Sequence, residues 1–489
     1  MYVNHYRNYR PFRHSRSENI VHLIDKVIEH LNHDHAVSKA YRINLTQLLL
    51  DLFVRYSENP DGCISVSMSE RGYRKKSRYN PSGVSSQTIK IVKDLTDAGL
   101  IHFKRGFQNK DDPSKTFRSK IAASQKLVEF FQWFYLDESD ICTAPEMEPI
   151  VLRDSDKNPI EYFGKDEPNW LHNSRDILKR YNELLQNTFI DIGILEKPFV
   201  TTLEKGKEKH VVISQNDKFV RRVFNNKSFE QGGRFYGGWW QRIPNSVKIH
   251  PDTGEAYGTK YREHILINDN SCIERDYSGM HILMLYAMEG VDNSEHSGND
   301  PYRLITPAPI GLRRKDIKQA LLYAINANDE TSAFQAFNND RGDDGKPRIT
   351  KEHFQSLIKA ITDTHPLIEK YLFSGIGIRL QFKDSQIAEY VIRQFTDRGL
   401  PVLCLHDGFM VQQEHIGLLE EIMDKAFCEV MNVSSSLSKN EWVTEREIVD
   451  RVTPYRHLDR DYYLDTVMNL QPYRSTEYKH RLKKWKIYH

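Results

Sequence analysis

The chain has 489 residues, a length that accommodates about three domains. Its 39% hydrophobic and 11% aromatic residues supply cores, while 28% charged residues and a mean hydropathy of −0.63 point to a soluble, cytoplasmic protein. No apolar run approaches the ~18 residues of a membrane span, the N-terminus lacks the apolar centre of a secretory signal, and a net charge of +2 leaves partners to be read from where the charge sits.

In chain order, Ile20, Leu23, Ile24, Val27 and Ile28 recur at helical spacing, and Leu45, Leu48, Leu49, Leu52 and Phe53 form a second set within a helical pattern over 17–55. After the turn Asn59-Pro-Asp-Gly, residues 63–67 read as a strand. Ser85 or Ser86 is placed to cap a helix carrying Ile89, Val92 and Leu95 on one face. Two strands, 100–105 and 117–121, follow about a polar loop. This order, with Leu95-x-x-Ala-Gly-Leu-Ile leading into the hairpin, resembles a winged helix-turn-helix. Thirteen Lys and Arg lie between positions 71 and 120, against Asp94, Asp97, Asp111 and Asp112. Cations on the presumed recognition helix (Lys90) and wing (Lys104, Arg105) suit a phosphate backbone. A solvated surface or a protein-docking module is the alternative.

Residues 136–168 are acidic and proline-bearing and read as a linker or an irregular connection. A helix is expected over 173–190, with Ile177, Leu178, Tyr181, Leu184 and Leu185 on one side, and a short helix over 219–224. Then comes Gln231-Gly-Gly-Arg-Phe-Tyr-Gly-Gly-Trp-Trp. Glycines beside Arg234 and Tyr236 allow the backbone to approach a ligand closely while the arginine offers a forked donor. A structural turn would use the same glycines.

An extended run ends at Asp276, and an apolar helix follows over 281–288. A strand tip bearing a carboxylate can present it to a metal ion, and it can equally cap the next helix. Arg314 and Lys318 are four apart and share a helical face, either to bind a triphosphate or to face solvent. An amphipathic stretch over 380–395, which includes Gln381, precedes Leu403-Cys-Leu-His-Asp-Gly-Phe-Met-Val. That last run reads as two strands folded about a tight turn at His406-Asp407-Gly408. The five cysteines (Cys63, Cys142, Cys272, Cys404, Cys428) are scattered and never spaced Cys-x-x-Cys, which favours buried thiols over disulfides or zinc.

Taken in order, a Gly-Arg-aromatic segment, Asp276-Tyr277-Ser, Arg314-x-x-x-Lys318 and His406-Asp407 resemble the polymerase superfamily that contains bacterial DNA polymerase I and the single-subunit phage RNA polymerases. The resemblance covers residues 170–435. It implies an α/β (α+β) multidomain protein: a winged-helix-like domain (1–135), a linker (136–168), thumb-like helices with a template/primer-contact segment (169–270), a right-hand palm and fingers (271–435), and a basic, aromatic C-terminal extension (436–489) that could grip a strand. It also implies templated nucleotidyl transfer, in the replication or priming of a mobile element, with duplex DNA and a primed template as partners.

By the same resemblance, Asp276 and Asp407 hold two Mg²⁺ or Mn²⁺ ions ~3.5–4 Å apart. Lys318, with Arg314, takes the nucleoside triphosphate tail. Arg234, Tyr236, Gln381 and His406 contact template or primer, and Tyr277, His281 and Asn326 the incoming nucleotide. His281 falls where the DNA polymerases carry a glutamate that blocks a 2′-hydroxyl, which leans the expectation toward deoxynucleotides. Two departures stand out. Asn326-Ala327 replaces the family's Tyr-Gly, and Gly408 follows His406-Asp407 where the family often has glutamate or serine. A DNA-binding initiator or regulator with an inactive palm is the rival expectation, and a two-aspartate nuclease, which would not need Arg314 and Lys318, a distant third.

Overall fold

The structure is a computed structural model. It describes residues 6–15, 17–31, 37–73, 77–107, 117–136, 141–144, 146–204, 207–243, 248–249, 256–257, 260–277, 279–291, 300–309, 311–343, 345–434 and 472–488. The architecture is mixed α/β, with several sheets and two large hydrophobic cores.

Strands β1 (Tyr6–Asn8) and β2 (Arg13–Ser15) lead into α1 (Glu18–His30), which buries Ile20, Leu23, Ile24 and Val27 as its spacing requires. Helix α2 (Lys39–Glu58) starts where the Ser38 hydroxyl accepts the Tyr41 N–H. It is buried on almost every side, Asn44 and Asp51 included. Strand β3 (Cys63–Val66) precedes α3 (Gln87–Asp97), which buries Ile91 beside Val92 and Leu95, with Ile89 only partly covered. Ser86 makes no side-chain cap. The helix is pinned instead by Asn44, whose Oδ1 accepts the Ser85 N–H (2.8 Å) and the Thr88 hydroxyl (2.9 Å). Strands β4 (Ile101–Lys104) and β5 (Ser119–Ala123) complete a sheet of order β1-β3-β5-β4, and α4 (Gln125–Trp133) packs beneath it.

The 136–168 stretch is not a linker. Strand β6 (Ile141–Thr143) pairs with β2, and β7 (Ile150–Leu152) joins a sheet of the second unit. Tyr79 donates to the Ile160 carbonyl and accepts the Leu152 N–H, and Arg78 reaches Glu148 and Glu167. The acidic composition that suggests a linker therefore serves partly as counter-charge. Arg78, counted above with the DNA-facing cations, is consumed here, and Lys120 is buried. Among the described residues that leaves Arg71, Lys90, Lys93, Lys104, Arg105 and Arg118 at the surface; positions 74, 75, 76, 110 and 115 lie outside the described residues.

Among the described residues between 169 and 270 there is a single long helix, α5 (Asn169–Gln186), rather than several thumb-like helices. It stops four residues before the expected end because Ile190 enters β8 (Ile190–Ile192). Strands β9 (Phe199–Glu204) and β10 (Lys207–Val212) form a hairpin. The helix expected over 219–224 is instead β11 (Arg221–Asn225), paired with β7 and with β12 (Ser228–Tyr236). Pairing decides it: β11 bonds to β7 on one side and β12 on the other, and Arg222, Val223 and Phe224 are all buried between the layers. The glycine-rich segment belongs to β12 and contains a bulge, with Gly232 and Gly233 at φ +77° and +79°. Two short paired strands, β13 (Lys248–Ile249) and β14 (Ala256–Tyr257), follow.

Strands β15 (Ile265–Ile267) and β16 (Asn270–Asp276), helix α6 (Met280–Met288), then helices α7 (Arg314–Asn326), α8 (Glu330–Asp343), α9 (Lys351–Thr364) and α10 (Gly377–Thr396) come next. Strands β17 (Leu403–Cys404) and β18 (Gly408–Gln412) and helix α11 (Ile416–Met431) close the unit. The central sheet is antiparallel, of order β17-β18-β16-β15-β8. At its β17 edge the Trp240 indole, the Gln241 amide and the Tyr181 hydroxyl donate to the carbonyls of Cys404, Cys404 and Val402. At its β8 edge, the Ser475 N–H donates to the Gly193 carbonyl, and α12 (Thr476–Tyr488) packs Tyr478, Leu482 and Trp485 on Phe189 and Leu266. Arg474 pairs with Asp269 and Arg481 with Asp191, so these two cations hold the chain's end in place rather than a nucleic acid. Residues 436–471 of the expected extension lie outside the described residues. No described helix is long and apolar enough to cross a membrane.

Gly233 tests the bulge. A Cβ there would sit 2.6 Å from the Ser385 hydroxyl and 2.9 Å from the Phe224 ring, in a backbone conformation that side chains rarely adopt. Gly233→Ala is expected to destabilise the protein by roughly 1–3 kcal/mol in urea unfolding. An unchanged midpoint would show that the bulge is not required.

Candidate active site

The site begins with a register. Strands β16 and β18 pair so that Asp276 lies opposite Gly408, and the Tyr277 N–H donates to the Asp407 carbonyl at 3.4 Å. The turn between β17 and β18 is closed by the Leu405 N–H on the Gly408 carbonyl (2.8 Å), with His406 in the left-handed region at φ +81°. Asp276 is exposed at the tip of one strand, and Asp407 is half-buried just before the next. A Cβ on Gly408 would stand 3.0 Å from the Asp276 Cβ. The glycine that departs from the expected motif thus lets the two aspartates share one end of the sheet.

Behind this edge sits a charged cluster. Arg234, projecting from β12 just after the bulge, pairs with Asp384 of α10, its Nε 2.7 Å from Oδ2. Burial pushes the Asp384 carboxyl up to about 6; Arg234 pulls it back and the charge of Asp407 adds to the rise. Burial pushes the His281 imidazole down to about 4, helped by Arg234 and opposed by Asp407. His406 is lowered too, by burial first and Arg234 next, and its ring lies 5.0 Å from that of Tyr236. Asp384 Oδ1, His281 Nε2 and His406 Nδ1 are buried without a hydrogen-bond partner. Buried polar atoms in a finished core are nearly always paired, so three of them in reach of Asp407 make this corner a candidate for ligand contact.

The third part is α7. Arg314 and Lys318 share a face, as their spacing requires, and both lie over the Tyr302 ring, at 5.0 and 5.6 Å. The charge of Asp407 acts on the same Tyr302 hydroxyl, which links α7 to the aspartates. Arg314 is held by Asp300 through two hydrogen bonds of 2.7 Å.

Other expected site residues fall elsewhere. Tyr277 is buried, donates to the Met423 carbonyl at 2.6 Å and packs near Phe427, so it supports the sheet instead of touching a nucleotide. Asn326 is the last residue of α7 and donates to the Leu322 carbonyl. Gln381 is half-buried on α10, one turn before Asp384. Lys90, Lys104 and Arg105 are on the N-terminal unit. Sequence reading missed Asp384, Tyr302 and Asp300. Asp384 had a signal: it is an acid inside the apolar stripe Leu380, Ile387, Ala388, Val391 of α10.

No protein-family model matches this chain, and no curated protein matches it. Among solved structures, one match is the polymerase domain of Pol1 from M. smegmatis in complex with a DNA primer-template and dNTP, at 10% identity and a TM-score of 0.28, over 86% of this chain. The chain spans 65% of that structure's length. A likeness of this degree establishes no fold, and the site's chemistry has to be argued from its own residues.

Among the described residues no group of three or more His, Cys, Asp or Glu is arranged to hold a metal ion. The two aspartates fit a different kind of site. Mg²⁺ takes one or two carboxylates and fills its shell with water and substrate phosphates, and the hard oxygens of Asp276 and Asp407 at one sheet end suit that chemistry.

The buried histidine sets a pH dependence. A folded value near 4 against an ordinary 6.5 means that His281 stays neutral while the unfolded chain takes up a proton. Its contribution to stability is therefore present above 6.5 and lost as pH falls toward 4. Asp384, being raised, has the opposite sign: its contribution falls as pH rises from 3.8 toward 6. Relative to wild type, His281→Asn should gain on the order of 2 kcal/mol between pH 7 and pH 4 in urea unfolding. Parallel pH profiles for the two proteins would mean that His281 is not held neutral.

Proposed function

We propose that this chain is a template-directed nucleotidyltransferase, a polymerase that extends a nucleic acid strand. The observation that carries the reading is the β16–β18 register, which sets Asp276 and Asp407 at one end of the sheet with two α7 cations connected to it through Tyr302. Asp276 and Asp407 would hold Mg²⁺, which when bound lowers the pKa of an attacking 3′-hydroxyl and offsets the charge of a leaving pyrophosphate. Lys318 and Arg314 face the side where a triphosphate tail would lie, and binding would exchange Asp300 for phosphate oxygens on Arg314. Arg234, braced by Asp384, points a fixed guanidinium toward the strand beside Asp407. His281, neutral and with Nε2 free, stands as a bulky ring near Asp407, which supports deoxynucleotides as substrates.

The N-terminal unit supports duplex binding. Its helices, α3 and the β4–β5 hairpin follow the order of a winged helix-turn-helix, and Lys90, Lys104 and Arg105 lie on α3 and the hairpin. Such a module would steer the chain to DNA through phosphates rather than bases.

One observation favours a second reading. The bidentate Asp300–Arg314 pair occupies one of the two cations of α7, as an inactive, DNA-binding relative would tolerate. Nucleotide addition decides between them. On a primed template with Mg²⁺, Asp276→Asn and Asp407→Asn should each lower incorporation on the order of 10³-fold or more, with unchanged thermal melting. Near-normal rates in both variants would refute the two-metal reading, and no incorporation by wild type would favour the inactive one. Separately, replacing Lys104 and Arg105 with Ala in the full chain should weaken duplex binding alike for all sequences. The slope of log affinity against log salt should fall by about 0.9 per lost phosphate contact. Equal slopes would move the N-terminal unit to protein docking.

A further inference from the structure

The face of the β12-β11-β7 sheet that carries Arg234 also carries other arginines. Side chains alternate along strands, and directly paired residues project to the same side. Arg221 is paired with Tyr236, Val223 with Arg234, and Val223 with Val151. Arg153, two residues beyond Val151, returns to that side at the end of β7. Arg222 and Phe235 lie on the opposite face and are fully buried, and on the arginine-bearing face Val223 and Val151 are covered as well.

Where the N-terminal segment crosses this sheet, Arg221 lies between the rings of Phe12 (5.2 Å) and Phe219 (5.5 Å). Asp217 is nearby, and its carboxylate is already shared by Arg10 and Arg242. Three guanidiniums, those of Arg10, Arg242 and Arg221, thus act on one carboxylate, and Arg153 adds a fourth positive charge beside Arg221. Arg153 Nε and Arg221 Nε are both buried without a hydrogen-bond partner. Burial pushes Arg221 down to about 10, Arg10 and Arg153 add to the fall, and Asp217 opposes it. Arginines placed together against their own repulsion, with donors unused, are short of an anion. The seam is open at two points: the Arg242 side chain is 47% exposed and Tyr236 is 42% exposed. Tyr236 also rests against His406, which connects the seam to Asp407.

We propose that this seam is a phosphodiester-binding track for a single nucleic acid strand, which passes the aspartates, stacks a base on Tyr236 and sets phosphates on Arg221, Arg153 and Arg242. The route past the aspartates rests on the polymerase reading, whereas strand binding at the arginines does not require catalysis. A single strand is favoured over a duplex because an aromatic ring beside backbone-binding cations needs an unpaired base to stack on it.

The test is binding of a fluorescent oligothymidylate by the full-length protein across a salt series. Arg153→Gln and Arg242→Gln should each weaken binding roughly tenfold, the worth of one charge-assisted hydrogen bond, and lower the salt slope by about 0.7 per lost phosphate contact. Arg153→Lys keeps the charge and should keep the slope, which separates phosphate contact from packing. Equal slopes for the Gln and Lys variants would overturn the proposal, as would a loss confined to a duplex of the same length. Nucleotide addition measured alongside separates the two ideas. A lowered slope with no addition by wild type leaves the track standing and the polymerase reading fallen. Normal addition with unchanged slopes does the reverse.

Discussion

The arrangement of the candidate site depends on one buried guanidinium. Arg222, fully covered, donates through Nε to the Gly233 carbonyl (2.9 Å), through Nη1 to the Ser174 hydroxyl (2.9 Å) and Glu389, and through Nη2 to the Ser385 hydroxyl (2.9 Å). One side chain thereby ties the β12 bulge to α5 and α10. Arg234 follows directly after the bulge, and Asp384 immediately precedes Ser385. The pair that braces the region beside Asp407 is therefore held in place through Arg222. A planar group with several fixed donors can do this, and a lysine, with one point of charge, does not reproduce it. Removing it would leave buried acceptors and Glu389 without their partner, the costly way to break a buried network.

Much of this organisation was legible in the chain. Helices α1, α2, α7 and α10, the strand ending at Asp276 and the turn at Asp407 declare themselves because their periodicity is long or their turn chemistry is specific. Residues 219–224 misled because Phe219, Val220, Val223 and Phe224 match a helical stripe over so short a window, while the evidence for a strand lies in partners on β7 and β12. The linker reading failed for a related reason. Acidic residues such as Glu148 and Glu167 suggest solvent until Arg78 and Arg175 are seen to meet them.

The site divides in the same way. Asp276, Asp407, Arg314 and Lys318 could be picked out because carboxylates at turns and paired cations on a helix carry local patterns. Tyr277 was assigned by the resemblance, yet it turns away from the exposed Asp276 and into the core. Asp384 and Tyr302 act through space on groups distant in sequence, and no local pattern announces that. The departure at Gly408 became intelligible only with the opposing strand in view.

The two ends of the central sheet bear on how this protein behaves among copies of itself. An uncovered outer strand offers a row of donors and acceptors on which another chain can add a strand. Here Tyr181, Trp240 and Gln241 occupy carbonyls along one border, and the backbone at Ser475 occupies one on the other. On β8 itself the Gln215 side chain takes both the N–H and the carbonyl of Ile190, and residues 472–488 extend that cover past Gly193: with both borders occupied the sheet terminates at five strands and offers no template to a neighbouring copy.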